Sequence, residues 1–128
     1  QVISDFRRIF FNGELLTFAD FNREHARCLA FLKEAVSHSD TRKKIVVTHH
    51  VPSFQMQCPK FADSHANGAF TVELEDYIKN SGIDFWIYGH SHYNVDVRIG
   101  NTMCISNQLG YVFHGEHESF NPCKNIEV

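Results

Sequence analysis

Little in this sequence is arranged for cysteine chemistry. Its four cysteines, Cys28, Cys58, Cys104 and Cys123, are far apart and form no Cys-x-x-Cys pair. That spacing suits neither a zinc finger nor a disulfide framework, so the four read as free thiols in a reducing compartment. No apolar run is long enough to span a bilayer and no signal peptide opens the chain. The expectation is therefore a cytoplasmic protein with no membrane partner. Positive charge is also short: 12 Lys and Arg stand against 15 Asp and Glu, a formal net charge of -3. A large electropositive surface is excluded, and no nucleic-acid partner is expected. The aromatic run Phe6, Phe10 and Phe11 has no basic residues interleaved as a base-stacking platform would, and reads as core. Internal repeats, low-complexity segments and domain linkers are absent as well.

What is abundant is histidine and phenylalanine, nine and twelve residues in 128. The length suffices for one domain with a real core, and 43% hydrophobic with 21% charged residues is ordinary globular composition. The phenylalanines fill the core. Nine histidines exceed what packing needs, which points some of them toward ligand or acid/base roles.

Residues 2–11 are apolar at several positions and are expected to include a strand, followed by a turn at Asn12-Gly13. Thr17 and Asp20 resemble a capping box with an acid in place of the usual Glu. Behind them Phe18, Phe21, Cys28, Leu29, Phe31, Leu32, Ala35 and Val36 recur at helical spacing, predicting an amphipathic helix over 18–37. The β-branched run 45–50 reads as a buried strand ending in His49-His50, and Pro52 stops it. Residues 51–69 form a long loop, of the kind that is usually functional or disordered. A short helical pattern over 71–80 is closed by Ser81-Gly82. The second buried strand, 83–88, runs into Gly89 and His90. Residues 95–99 alternate as a half-exposed strand, Gly100-Asn101 is a hairpin turn, and 102–106 returns. The last twenty residues form a polar, aromatic-rich loop, with a short strand expected at 126–128. Strands alternating with helices imply a parallel pair with a crossover helix, hence an α/β fold.

In open α/β sheets ligands bind beyond the carboxyl ends of the strands. Both internal strands end in histidine there, His49-His50 on one and His90 with His92 on the other. Gly89 would let the backbone turn sharply before His90. In an extended segment His90 and His92 point to one side, and a third imidazole from the neighbouring strand completes a transition-metal site. Either His49 or His50 is that third ligand, since neighbouring strand positions point to opposite faces. The remaining histidines read more plainly: His25 as a structural hydrogen-bonding group on its helix, His38 as solvated, His65 as a surface group in the long loop. The "HGEHE" cluster of His114, Glu116, His117 and Glu118 reads as a solvated loop.

"VVTHHVPS" followed by "DFWIYGHSHYNVDVRIG" closely resembles the calcineurin-like metallophosphoesterase superfamily. The Gly-His-x-His element is Gly89 to His92, with the Thr-His strand about forty residues upstream. "SDFRRI", "NGAFTVELEDYI" and "NQLGY" extend the likeness along most of the chain. The resemblance implies half of an αββα sandwich, a mixed sheet with flanking helices. It implies a C-terminal part of the domain over 1–128, because Gly-Asp and Asn-His elements of the family's first half do not occur. Metal-dependent hydrolysis of phosphomonoesters or phosphodiesters by a metal-bound hydroxide would follow, in the complete protein. The cofactors would be two transition-metal ions, Mn, Fe or Zn, held ~3.5–4 Å apart. The family's Thr-His pattern favours His49 as ligand, with His90 on the same ion and His92 on the other. His50 then becomes the catalytic or substrate-facing neighbour, and Asn107 and Tyr111 border the site. Two close dications need anionic ligands, so the expected partners are a phosphoester substrate and either a missing N-terminal half or a second chain. An open half-sandwich also predicts self-association. The alternatives are an interaction protein on the same fold, or a protein holding a single metal ion.

Overall fold

A computed structural model of the chain describes residues 3–40 and 42–128. They fall into two compact units, Gln1–Asp40 and Thr41–Val128. In the first unit a 3-10 turn, Ser4–Arg7, leads to strand β1 (Phe10–Phe11), which pairs antiparallel with β2 (Glu14–Leu15). Asn12 (φ 52°) and Gly13 (φ 89°) both take left-handed backbone. That is the pattern of a type I′ turn, which Asn-Gly favours because neither residue pays heavily for positive φ. Of the strand expected over 2–11, only Phe10–Phe11 forms; Val2 lies outside the described residues.

Helix α1 (Phe18–His38) begins with the expected capping box. The Asp20 N–H donates to Thr17 Oγ1, and the Thr17 N–H donates to the Asp20 carboxylate, each at 3.1 Å. Two helix-terminal donors are thereby satisfied. Phe6 is buried against the rings of Phe18 (4.2 Å between centroids) and Phe21 (6.0 Å). The apolar stripe is less covered than its periodicity predicts, since α1 contains no buried residue and Phe31 remains 72% exposed.

The second unit is a four-stranded mixed sheet of order β3-β4-β6-β5. Strands β3 (Ile45–Val47), β4 (Phe85–Ile87) and β6 (Thr102–Ile105) run parallel, and β5 (Val97–Ile99) pairs antiparallel with β6. Val46 faces Trp86, which faces Cys104, so one row of side chains crosses the sheet. Trp86 and Cys104 are fully buried, with Val51, Met56, Ile78 and Ile83. Burial pushes the Cys104 thiol up to about 11, leaving it protonated and inert. All four cysteines are free thiols. Helix α2 (Glu75–Asn80) lies on the crossover from β3 to β4, as the parallel pairing requires.

Two expectations change here. The sequence predicts a buried strand over 45–50; the strand runs only to Val47. It lies at the sheet edge, with Val46 buried but Ile45 and Val47 exposed. An edge strand with one covered face buries alternate residues only. No strand forms at 126–128. The tail is held by polar anchors instead: Lys124 donates to the Asp96 carboxylate and to the Ser106 carbonyl at 2.7 Å, and the Asn121 N–H donates to Asn107 Oδ1 at 3.0 Å. Among the described residues no helix is long and apolar enough to cross a membrane.

Candidate functional site

The carboxyl ends of β3 and β4 are tied together before any histidine is reached. Asp84 accepts the Lys44 N–H at 2.8 Å and the Lys43 ammonium at 3.3 Å, which joins the strands at their starts. The Lys44 hydrogen bond, with the neighbouring lysine charges, holds the Asp84 carboxyl below its usual range. At the other end the Trp86 indole N–H donates to Thr48 Oγ1 at 2.9 Å, and the Thr48 hydroxyl donates to the His50 carbonyl at 3.0 Å. The Gly89 N–H donates to the His49 carbonyl at 3.2 Å. His49 and His90 are thus brought side by side by the backbone itself.

His49, His50 and His90 form one cluster whose ligand-capable nitrogens all lie within 4.8 Å of one another. The His90 Nδ1 to His49 Nε2 distance is 2.9 Å, and the His50 and His90 ring centroids are 4.7 Å apart. Adjacent strand residues point to opposite faces, yet both His49 and His50 reach this point. The strand has already ended at Val47, so pleated alternation no longer governs them.

His90 and His92 do not point to one side as an extended segment would place them. Both are left-handed, at φ 70° and 51°, while Gly89 is not. The sharp turn expected of the glycine is therefore made by the histidines. Positive φ in non-glycine residues costs roughly 1–3 kcal/mol each and collects at functional sites. Here it separates the two imidazoles. His90 joins His49 and His50, with the Phe70 ring stacked on it at 4.8 Å. His92 turns to Glu116, its Nδ1 lying 2.8 Å from Oε2.

The His92 arm is braced by the segment after β6. Gln108 accepts the His92 N–H at 2.8 Å, and its own amide donates to the Tyr93 carbonyl at 3.1 Å. Glu116 also accepts the Tyr111 N–H at 2.6 Å. That hydrogen bond, and the one to His92, lower the Glu116 carboxyl below its usual range. Gly110, at φ 63°, makes the approach possible: a Cβ there would lie 2.6 Å from the Glu116 Cβ. Tyr111 packs edge-on to His92 with centroids 4.7 Å apart. It borders the site as the resemblance implied, whereas Asn107 is engaged with Asn121. Glu116 is the residue that sequence reading passed over, since "HGEHE" looked solvated. The one signal for it was a carboxylate a short loop beyond a Gly-Tyr pair. His25, His38, His65, His114 and His117 are exposed.

A cavity of ≈ 470 Å³ opens beside these groups. His90, His92, Tyr111 and Glu116 line it together with Gln57, Phe61 and Phe70. The donor set fits one transition-metal ion. Two imidazole nitrogens on a tetrahedral zinc lie roughly 3.3 Å apart, given Zn–N of about 2.0–2.1 Å, so His49 and His90 need little adjustment. Three neutral imidazoles supply no anionic bridge, and the cluster contains no carboxylate.

Comparison with known proteins agrees with the family resemblance. The chain is 29% identical over 120 residues to an uncharacterized protein of Acanthamoeba polyphaga mimivirus, covering 88% of this chain and 41% of that one. It therefore spans less than half the length of that relative. No solved structure gives a significant match. Residues 3–94, which carry the α1 helix, both histidine-bearing strand ends and the Gly-His-Ser-His turn, match the calcineurin-like phosphoesterase family, and the chain belongs to it.

Proposed function

We propose that this chain contributes the imidazole side of a metal-dependent phosphoesterase site, hydrolysing phosphomonoesters or phosphodiesters in a complete protein. The observation that carries the reading is the cluster of His49, His50 and His90 at the carboxyl edge of a parallel strand pair. His49 and His90 would hold one ion, with His50 either a third ligand or the group facing substrate. His92 would present its second nitrogen to another ion, because its Nδ1 is engaged by Glu116. A carboxylate on the far side of a ligating imidazole fixes its tautomer and raises its basicity. When bound, the metal supplies Lewis-acid stabilisation of the charge that develops on the phosphoryl oxygens.

In the overall reaction the oxygen of water bonds to phosphorus, the ester P–O bond breaks, and the alcohol leaves with a proton. The anionic donors that a pair of ions requires would come from a further N-terminal segment or a second chain. The exposed Ile45 and Val47 on the edge strand suit such an addition, or self-association of this chain. Free thiols accord with a reducing, cytoplasmic setting.

The test is turnover of bis(4-nitrophenyl) phosphate and 4-nitrophenyl phosphate by the protein loaded with Mn, Fe or Zn. His49→Ala and His90→Ala should each lower it by orders of magnitude; undiminished turnover in either variant sinks the assignment. The all-imidazole donor set favours one second reading, a protein that holds a single ion without hydrolysis. It predicts one tightly held zinc per chain and no turnover with any metal.

A further inference from the structure

The cavity beside the histidines carries more information than the site alone. Among the described residues lining it there is no lysine and no arginine, and Glu116 is the one formal charge apart from the histidines. A chain with 12 basic residues has placed none of them there. Three aromatic rings line it instead: Phe61, Phe70 and Tyr111. Two of them pack directly on the proposed ligands, Phe70 stacked on His90 and Tyr111 edge-on to His92. The apolar wall thus runs up to the point where the phosphoryl group would sit.

One buried polar group beside this lining lacks a partner. Among the described residues the buried Nε2 of Gln57 has no hydrogen-bond acceptor. A buried amide donor left unpaired costs about 1–3 kcal/mol, so such groups are rare unless something else satisfies them. Other atoms of Gln57 line the cavity, so a turn of its side chain would bring the amide to an incoming oxygen. The loop that carries it is firmly built: Asn67 donates to the Phe61 and Ala62 carbonyls at 2.7 and 2.8 Å.

We infer that this cavity receives the alcohol part of the phosphoester, and that the alcohol is uncharged, aromatic or apolar, and carries a hydrogen-bond acceptor for Gln57. This rests on the phosphoesterase reading above and gives its substrate class. A polyphosphate chain would bring several negative charges to a wall with no lysine or arginine and one carboxylate, where only ions held at the histidines would offset them. A flat apolar group gains contact with three rings, and the volume is within the range of small-molecule sites.

The test is binding rather than turnover. The 15N-labelled chain with equimolar zinc is titrated with methylphosphonate, phenylphosphonate, 4-acetylphenylphosphonate and inorganic tripolyphosphate, and followed by NMR. Phenylphosphonate should bind about tenfold tighter than methylphosphonate, as burial of one ring allows. The acetyl carbonyl should add a few-fold more, and Gln57→Leu should remove that increment alone. Tripolyphosphate should bind no tighter than methylphosphonate. The Gln57 side-chain amide and the Phe70 and Tyr111 backbone amides should shift. Equal affinity for methyl and phenyl probes, tightest binding of tripolyphosphate, or shifts remote from these residues would overturn the inference. None of the wild-type comparisons depends on a variant folding. Hydrolysis without aryl preference would defeat this inference and spare the phosphoesterase. Aryl preference without hydrolysis under any metal would defeat the phosphoesterase and leave the cavity's ligand class in place.

Discussion

His90 and His92 are separated by one residue and keep opposite company. His90 lies among two other imidazoles and a phenylalanine ring, with no carboxylate in the cluster. His92 lies on a carboxylate that a glycine and a tyrosine N–H help to position, and its own N–H is held by Gln108. One turn therefore offers two kinds of ligand environment. The His90 side gathers three imidazoles and no carboxylate. The His92 side carries one imidazole and negative charge behind it. The difference teaches that the strand ends bring the histidines together, while the segment after β6 determines how one of them, His92, is presented.

The sharpest way to break this comparison is to remove each histidine in turn. His90→Ala should weaken zinc binding to the chain by at least about 100-fold, beyond what changes outside the ligand set usually cost. His92→Ala should leave that first ion bound. Isothermal titration with zinc reads both, and equal losses would erase the distinction. Next in size is Glu116→Gln. The imidazole of His92 should change its tautomer balance, visible in 15N shifts of the metal-free protein. Affinity or activity that depends on His92 should fall about 10–100-fold, while zinc at His49 and His90 holds.

Gly110→Ala attacks the same arm through the backbone. The added methyl would meet the Glu116 Cβ at 2.6 Å and the His92 Cβ at 3.2 Å, at φ 63°. A loss of about 1–3 kcal/mol in urea unfolding is expected, with the His49–His90 side unaffected. The smallest effect concerns the strand starts. The Asp84 carboxyl is held below its usual range, chiefly by the Lys44 N–H. Its stabilisation is therefore full above the ordinary carboxylate pKa and disappears as pH falls through the lowered folded value. Asp84→Asn should flatten that acid limb of the denaturation midpoint, leaving the neutral-pH site geometry intact.

Much of this was legible in the sequence because it is local. The Thr17–Asp20 box, the Asn12-Gly13 turn and the Gly100-Asn101 hairpin each depend on residues within a few positions. The parallel strand pair and its histidine-bearing ends followed from apolar runs and their order. The turn at 89–92 was misread because an extended backbone was assumed, whereas the strain falls on the histidines. Glu116 escaped because its partner is 24 residues away in the chain, and no local pattern marks such a contact. The anchors of the tail escaped for the same reason: Lys124 and Asn121 are held by Asp96, Ser106 and Asn107, well upstream in the chain.

The parallel pairing of β3 with β4 also has a consequence in time. His49 and His90 become neighbours only after the whole crossover between them has been closed, and parallel pairing of this kind is slow to form. Until that crossover closes, the chain cannot offer the three-imidazole cluster. A metal ion at that point would favour states with the strand pair closed, so its concentration should raise the melting temperature by mass action. The ion would then serve as a reporter of that closure before it takes part in any chemistry.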